Sequence, residues 1–470
     1  MLKIFNSLTK KKEIFHVKNT KKLNIYVCGV TIYDFCHIGH ARTFIFFDIV
    51  IRYFKILGYS ILYVRNITDI DDKIIQRALE INESVKHYTT RMIYEMKKDF
   101  YSLNLLVPQI EPCVTQYITE IIMMIKVLLH KKYAYISKNG DVVFKISKFK
   151  SYGIFSNQGL NLHFKKILNI DLDYVKNNKN DFVLWKLKKK KCLKTEIFWK
   201  SPWGLGRPGW HIECSTLNNK FFKNGADIHG GGIDLLFPHH ENERAQNLSF
   251  QKNSCANFWM HVGMVIINQS KMSKSLKNII TIRNLICNYS ADVIRYYLLS
   301  TYYRHPLNFS EIQILHTKKI ISRMYSVLKL YDLSKIFFQI IYLEQKRFIK
   351  LFFSALEKDF NTPLACSILY DLSKYIKKLY GKNKDLEMKL IATLIYLGNI
   401  LGIFLNVKEK NFFYHKSKSL HFSYFIKYLI QLRNLYRRKK QWDLADDIRI
   451  QLKNLNIFLE DSKENSKYFF

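Results

Sequence analysis

The sequence predicts an α/β protein with a doubly wound parallel sheet, followed by an all-α C-terminal part. Three observations support this prediction. An apolar run at 23–27, a helical pattern and a second apolar run at 60–64 follow one another in the order of a βαβ unit. A further strand–glycine–helix pattern occurs at 227–243, and from residue 310 onward only helical periodicity is evident. The 470 residues are enough for about three domains.

The first βαβ unit carries the segment around which the rest of the chain is arranged. Cys28 and Gly29 end the first apolar run, and the helical pattern begins at Ala41, so that His37 and His40 fall at a helix N-terminus. Backbone N–H groups and the helix dipole bind anions there, and the two histidines add donors that suit a phosphate. Two solvated capping histidines are the alternative.

The second predicted strand ends in the polar sequence NITDIDD, at 66–72. Ligands of open α/β sheets collect at such carboxyl ends, so this sequence is expected to lie near a substrate. Its three aspartates also precede a helical pattern at 73–80, and we expect helix capping to account for at least one of them.

The stretch from about 81 to 200 does not alternate between strand and helix. Helical patterns at 94–105 and 114–130 precede strand-like text at 142–147 and a lysine-rich run at 186–191. Such a run is most often a solvated loop. This stretch is therefore expected to interrupt the sheet as an insertion.

The sheet is expected to resume with a glycine-rich loop at 203–215 and the sequence DIHGGGIDLLFPHHENE at 227–243. We interpret the latter as a strand, a Gly-Gly-Gly turn and a helix that begins at Pro238. His239 and Glu243 are four residues apart and so share one helical face. By spacing alone such a pair is more typical of a surface ion pair than of a metal site.

Composition limits the class of protein. Lys and Arg number 75 against 38 acidic residues, a formal charge of +37, which favours a polyanionic partner such as RNA. The abundance of Lys, Ile, Asn, Phe and Tyr would also follow from A+T-rich coding, which weakens that inference.

The eight cysteines form no CxxC pair, and charged residues at 10–13 rule out an N-terminal signal peptide, so a reducing cytoplasm is expected. The uncharged stretch 390–407 has a GxxxG spacing typical of membrane helices, but we interpret it as a buried bundle helix.

Two motifs identify a family resemblance. HIGH at 37–40 and KMSKS at 271–275 occur in the order found in class I aminoacyl-tRNA synthetases. The flanking sequences CGVTIYDFCHIGHAR, RNITDIDDKII, WGLGRPGWHIECS and DIHGGGIDLLFPHHENE resemble cysteinyl-tRNA synthetases. The resemblance runs from about residue 23 to 310 and weakens beyond, where the chain ends in SKENSKYFF instead of the family's usual terminus.

The resemblance implies a split Rossmann catalytic domain with a connective insertion, a helical bundle and a C-terminal helical anticodon-binding region. The implied domains are a first Rossmann half with HIGH (1–110), the connective insertion (111–200), the second Rossmann half with zinc ligands (201–265), a KMSKS loop and stem-contact region (266–310), the bundle (311–410) and the anticodon-binding region (411–470).

The resemblance also implies the reaction, in which L-cysteine is activated with ATP and Mg²⁺ and transferred to tRNA(Cys) by a cytoplasmic protein; nothing in the sequence demands more than a monomer. Its implied site residues are as follows: for catalysis His37, His40, Lys271 and Lys274; for ATP Thr31, His37, Gly39, His40 and Lys274; for the amino acid Thr68, Trp210, His229 and Asp234; for one Zn²⁺ per chain Cys28, Cys214, His239 and Glu243. Trp210 could equally belong to the core. Zinc would bind a cysteine substrate as thiolate, whereas a serine hydroxyl is a poor ligand.

Two rival functions are weighed against this one. A related ligase would activate cysteine on the same core and pass it to an amino sugar, but about 150 residues with basic helices after residue 310 argue against it. A catalytically inactive RNA-binding protein would keep the charge without needing HIGH, KMSKS and four metal donors.

Overall fold

The structure is a computed structural model. The residues that it describes are 1–16, 21–155, 180–189, 197–251, 255–267, 270–271, 278–336, 338–405, 407, 430, 433–434, 436–437, 441–454, 458–461 and 466–469. Residues 1–404 form one compact unit and residues 405–470 a second. All features of the site described below belong to the first unit.

The chain begins with a hairpin and the predicted βαβ unit. Strands β1 (Lys3–Asn6) and β2 (Lys11–Ile14) pair antiparallel. They precede strand β3 (Lys22–Thr31), helix α1 (Ile38–Ile56) and strand β4 (Ser60–Thr68), in which β3 and β4 pair in parallel. Helix α1 is apolar nearly all round because it is covered on most sides.

In the described residues, α-helices and a small antiparallel sheet lie in the interrupting stretch and at its edges, between 72 and 208. The helices are α2 (Asp72–Glu80), α3 (Val85–Ser102) and α4 (Ile118–His130). Strands β5 (Ala134–Ile136), β6 (Val142–Phe144), β7 (Phe182–Leu187) and β8 (Gly206–Pro208) pair in that order. The side chain of Asp71 caps α2 by accepting from the Lys73 N–H, as expected for at least one of the three aspartates.

The central sheet is completed by elements from the second half of this unit. They are helix α5 (Trp210–Phe221), strand β9 (Ala226–Gly232), helix α6 (Glu241–Phe250) and strand β10 (Ala256–Val262). The order β10-β9-β3-β4 is parallel throughout, so all four carboxyl ends meet at one edge.

One detail of the 227–243 prediction is wrong. The glycines at 230–232 belong to β9 instead of forming a turn. A Cβ on Gly230 would lie 2.0 Å from the ring of Phe47, so the strand approaches α1 this closely because that residue is glycine. After the extended residue Phe237 the backbone is helical from Pro238 onward, as predicted, and it continues into α6.

The segment after β10 crosses back beside the sheet. Strand β11 (Val265–Ile267) lies between the short antiparallel strand β12 (Ser270–Lys271) and the parallel strand β13 (Leu307–Phe309). Helices α7 (Ile282–Asn288) and α8 (Ala291–Leu299) connect β12 to β13. Lys271, the first residue of KMSKS, lies in β12, and the described chain resumes at Asn278.

The predicted helical bundle follows. It contains α9 (Glu311–Leu328), α10 (Leu343–Glu357), α11 (Thr362–Leu379) and α12 (Lys384–Ile400). Gly398 packs against the ring of Phe404, so this glycine of the GxxxG spacing serves packing within the bundle. None of the helices in the described ranges combines the length and the hydropathy that a membrane crossing requires.

The second unit, at 405–470, is described only in part. It contains helix α13 (Trp442–Asn454) and an antiparallel pair of strands, β14 (Phe458–Asp461) and β15 (Ser466–Phe469). The expectation of helices alone in this region is therefore incomplete, because the last described residues form a hairpin.

Candidate active site

The site begins at an irregularity in β3. The register between β3 and β4 shifts between Val27 and Val30, and the Gly29 N–H donates to Asn66 Oδ1 at 2.9 Å. A Cβ on Gly29 would lie 1.6 Å from the Asn66 carbonyl oxygen, so only glycine permits this approach of the strands. The bulge lies beside Cys28, which is buried but borders a cleft.

The two histidines of HIGH cap helix α1 with their rings stacked, 3.8 Å apart between centroids. The N–H groups of Gly39 and His40 donate to His37 Nδ1 at 3.1 and 3.4 Å, and the His37 N–H donates to His40 Nδ1 at 3.2 Å. Because each Nδ1 accepts a backbone N–H, the neutral rings carry their protons on Nε2.

Both rings are neutral at ordinary pH. Burial lowers the pKa of His37, an effect that Asp234 partly offsets, and burial together with the neighbouring His37 holds the pKa of His40 well below its usual value. The pair therefore offers Nε2–H groups as uncharged hydrogen-bond donors.

A cleft of about 320 Å³ opens above the carboxyl edge of the sheet. Its walls come from the β3 bulge, the start of α1, the start of α2, the β9 end and the β10–β11 connection. The lining residues are Cys28, Gly29, Thr31, Tyr33, His37, Gly39, His40, Thr43, Phe44, Asp71, Lys73, Trp210, Gly232, Asp234, Leu235, Val262, Gly263, Met264 and Val265. This position is the one expected for ligands of a doubly wound sheet.

Four candidate metal donors meet beneath the cleft. The Sγ atom of Cys28 lies 3.6 Å from Cys214 Sγ, 3.7 Å from His239 Nε2 and 3.3 Å from Glu243 Oε1. His239 Nε2 is 2.9 Å from the same Glu243 oxygen, and all four side chains are buried. The pairing of His239 with Glu243 is thus an interior contact and not a surface ion pair.

The three separations from Cys28 Sγ fit a tetrahedral zinc site. With Zn–S near 2.3 Å and Zn–N or Zn–O near 2.0–2.1 Å, neighbouring ligand atoms lie about 3.3–3.8 Å apart. The 2.9 Å between His239 Nε2 and Glu243 Oε1 is instead a hydrogen-bond distance. The hydrogen bond from Cys28 lowers the pKa of the Cys214 thiol, and His229 and His239 outweigh burial to hold the pKa of Glu243 well below its usual range. Burial is outweighed at His239 by Glu243 and Cys214, which raise the pKa of its imidazole to about 10, so His239 would release a proton on binding a metal. A thiolate, a carboxylate and a neutral imidazole suit Zn²⁺.

A second set of donors shares two members with the first. Cys28, His229, His240 and Glu243 also present ligand atoms within 4.8 Å of one another. His229 Nε2 lies 3.0 Å from Glu243 Oε2, and His240 Nε2 lies 3.3 Å from Cys28 Sγ. Because Cys28 and Glu243 are common to both sets, the two sets compete for one ion.

Outer contacts fix the donors. His211 Nδ1 lies 2.9 Å from His239 Nδ1, which leaves His239 Nε2 directed at Glu243. His240 Nδ1 is 2.7 Å from His261 Nε2, which leaves His240 Nε2 directed at Cys28 Sγ. Such contacts set the tautomer and orientation of metal-binding imidazoles.

Apart from the four metal donors, the site residues expected from the sequence are cleft-lining residues, buried residues behind the cleft and the KMSKS lysines. Thr31, His37, Gly39, His40, Trp210 and Asp234 line the cleft together. Trp210 is 38% exposed and its ring lies 4.3 Å from that of His239, so it is not a core residue.

Thr68 and His229 are placed differently from the residues that line the cleft. Thr68 is buried and donates to Glu213 Oε2 at 3.1 Å, and His229 is fully buried beside Glu243. Of the two KMSKS lysines, Lys271 is the last residue of β12, and Lys274 lies outside the described residues.

Tyr33 and Lys73, which line the cleft, and His240, beside Cys28, were not anticipated from sequence. Asn66 at the bulge belongs to the polar sequence 66–72 that was expected near a substrate. The sequence HH at 239–240 was the available signal for His240, but an i, i+4 pattern selects only the first histidine.

Comparison with known proteins matches two parts of the chain to known domain families. The family model of the class I (C) tRNA synthetase catalytic domain matches residues 14–319, and the DALR domain model matches residues 351–406. The chain is similar to a cysteine–tRNA ligase of Buchnera aphidicola subsp. Cinara cedri, with 51% identity over all of both chains. It is also similar to a cysteine–tRNA ligase of Histophilus somni, with 44% identity over all of this chain and 99% of the relative.

Solved structures show the same fold at low identity. A leucyl-tRNA synthetase of Agrobacterium radiobacter in a ternary complex with tRNA superposes with a TM-score of 0.61 at 12% identity, over 83% of this chain and 84% of the other. A methionyl-tRNA synthetase of Mycobacterium tuberculosis gives 0.56 at 12% identity, over 81% and 90%. The matched catalytic-domain model and the full-length relatives place the chain, by sequence and by fold, in the cysteine–tRNA ligase family of class I aminoacyl-tRNA synthetases.

Proposed function

We propose that this chain attaches L-cysteine to tRNA(Cys) in two steps, through a cysteinyl-adenylate. The observation that carries the proposal is the position of two buried thiols, Cys28 and Cys214, with His239 and Glu243 directly beneath a cleft that His37 and His40 also line. A thiol-selective metal site and a phosphate-binding helix terminus thereby face one substrate.

Selection of cysteine is assigned to the donor cluster. Cys28, Cys214, His239 and Glu243 would hold one Zn²⁺, and the ion would supply a soft Lewis acid that favours a thiolate over a hydroxyl. Cys28 borders the cleft, so the substrate side chain reaches the cluster from that side. Pocket shape alone separates sulfur from oxygen by about 10–200-fold, whereas protein synthesis needs about 10⁴.

Trp210 and Asp234 are assigned to the rest of the amino acid. The half-exposed ring of Trp210 covers the cleft beside His239, and the Asp234 carboxylate at the β9 end suits the substrate ammonium group. Thr68 and His229 would act indirectly, without touching the substrate, because both are buried and hydrogen-bonded to other side chains of the site. They orient Glu213 and Glu243 respectively.

Activation is assigned to the first turn of α1. The cysteine carboxylate attacks the α-phosphorus of ATP, a P–O bond forms, the bond to the β-phosphate oxygen breaks, and pyrophosphate leaves with Mg²⁺. The Nε2–H groups of His37 and His40 donate to the phosphate oxygens as charge develops on them, with Thr31 and Gly39 beside the nucleotide. Lys271 and Lys274 are assigned to the departing pyrophosphate.

Transfer then moves the cysteinyl group to a hydroxyl of the terminal ribose of tRNA, with release of AMP. The six-part division of the chain predicted above belongs to this proposal, with the insertion and the 411–470 region as tRNA-contacting parts. A monomer in the cytoplasm completes it. The relatives named above bear the name of a tRNA ligase over their full length, which supports this function over transfer to an amino sugar.

The decisive experiment charges a tRNA(Cys) transcript with labelled cysteine, ATP and Mg²⁺, beside cysteine-dependent pyrophosphate exchange and zinc analysis of the same preparation. We expect charging, exchange and one zinc per chain. Exchange without charging of tRNA, but with transfer to an amino sugar, would favour the rival ligase. Loss of both reactions with retained RNA binding would favour the inactive RNA-binding protein.

A further inference from the structure

Arg42 lies on α1 two residues after HIGH, and its guanidinium is buried without an acidic partner. Its side chain is 2% exposed, and no carboxylate lies within ion-pair distance of it in the described part of the chain. Burial lowers the pKa of Arg42 to about 10, which still leaves the group charged at neutral pH. A buried charge of this kind must be satisfied by other acceptors.

Four backbone carbonyl groups accept from its two terminal nitrogens, whereas its Nε has no partner among the described residues. Nη1 donates to the carbonyl oxygens of Gly263 and Met264 at 2.8 and 2.9 Å. Nη2 donates to those of His305 and Tyr302 at 2.6 and 3.3 Å. Hydrogen bonds from a charged donor are about twice as strong as neutral ones, so this is a firm connection between three chain segments.

The connected segments form two sides of the cleft. Gly263 and Met264, in the connection between β10 and β11, line the cleft together with the histidines at the start of α1. The same connection is tied to the 302–305 segment by backbone bonds, from Gly263 N–H to the Tyr303 carbonyl and from Leu307 N–H to the Met264 carbonyl. Within the described residues, the Arg42 side chain is the charged group that joins this pair of segments to α1.

We propose that Arg42 is a positioning residue that sets the width of the nucleotide-binding side of the cleft, by holding the 263–264 wall at a fixed distance from HIGH. The proposal rests on the function proposed above. Gly263 and Met264 line the same cleft as Trp210 and Asp234, which are assigned to the amino acid, but Arg42 itself lies on α1 two residues after His40, which is assigned to ATP. Loosening this connection therefore affects ATP before it affects cysteine.

Arg42→Lys tests the proposal. A lysine keeps the charge but replaces the two-nitrogen fork with a single nitrogen, which cannot reach both pairs of carbonyls. Because a displacement of about 1 Å in a site costs up to about a hundredfold, we expect the Kd of a non-hydrolysable ATP analogue and the KM for ATP to rise about tenfold or more. The KM for cysteine in pyrophosphate exchange should change less than about twofold by the same reasoning.

Arg295→Lys is the matched control. Arg295 is also fully buried and bonded to α1 through Asp48, but its carbonyl acceptors Leu103 and Leu401 lie outside the cleft. This variant should lower the Tm without raising the Kd for the ATP analogue. An equal loss of affinity in both variants would show general loosening of α1 and overturn the proposal.

A second variant covers the case in which Arg42→Lys does not fold. A Cβ on Gly263 would lie 2.3 Å from the His305 carbonyl oxygen, so Gly263→Ala pushes the two acceptor segments apart while Arg42 stays intact. Its ATP-analogue Kd should also rise. Unchanged analogue binding in both variants would refute the positioning role, whereas a wild-type protein that binds no ATP analogue would instead refute the proposed function.

Discussion

The competition between the two donor sets gives a prediction that separates them. Cys28 and Glu243 belong to both sets, whereas Cys214 and His239 belong only to the set adjoining Trp210, and His229 and His240 only to the other. We expect Cys214→Ala to lose zinc and His240→Asn to keep it. Apparent binding energies of about 10–16 kcal/mol for four-ligand zinc sites give about 2.5–4 kcal/mol per ligand. The zinc Kd should therefore rise roughly a hundred- to a thousandfold in Cys214→Ala.

The assay is zinc competition with a chromogenic chelator, together with the metal content of each purified variant. Cys255→Ala is the matched control, because Cys255 is also a buried thiol but lies in neither donor set. It should bind zinc like the wild type. If His240→Asn lost zinc while Cys214→Ala kept it, the ion would occupy the other set and the assignment of Cys214 and His239 would be wrong.

Three further predictions concern catalysis and stability. His40→Gln retains an N–H near the Nε2 position, so it should keep more pyrophosphate exchange than His40→Asn. The kcat of His40→Asn should fall by about 10²–10³. Equal losses in the two variants would argue against an Nε2–H donor. Gly230→Ala should lower the free energy of unfolding by about 1–3 kcal/mol in urea titration, because the added Cβ meets Phe47. Gly381→Ala is the control, since a Cβ there would have no atom within 4 Å and only the φ of +79° would be strained. It should lower the free energy of unfolding by about 1 kcal/mol or less. Arg52 and Arg295 outweigh burial and lower the pKa of Asp48 in the folded chain. The stabilising contribution of Asp48 is therefore present above about pH 4 and is lost as pH falls through the folded pKa. Arg295→Met should weaken this acid dependence in thermal melts, and an unchanged pH profile would contradict the pairing.

Local sequence patterns predicted the βαβ unit and the position of HIGH because strand and helix periodicities are short-range signals. The apolar run at 23–27, the glycine after Cys28 and the helical pattern from Ala41 correspond to β3, its bulge and α1. The resemblance to a family then selected four metal donors from distant positions. The structure brings those four together, although spacing alone could not have joined Cys28 to Cys214.

The details that sequence missed depend on contacts between distant segments. The glycines at 230–232 extend β9, and Phe47 leaves no room for a Cβ on Gly230; nothing near them in sequence indicates this contact. Arg42 could not be singled out, since its acceptors are backbone carbonyls 221–263 residues away. His240 was missed because adjacent histidines in an irregular turn direct their rings to different neighbours.

The donor cluster also has a consequence for synthesis of the chain on the ribosome. Cys28 and Cys214 are 186 residues apart. At about 5–20 residues per second, roughly 10–40 s pass between the emergence of the first thiol and of the second. During that interval Cys28 has none of its three partners, so it is exposed to stray metals and oxidants. On the function proposed above, metal loading is a late event, which follows the emergence of the last donor, Glu243, from the exit tunnel.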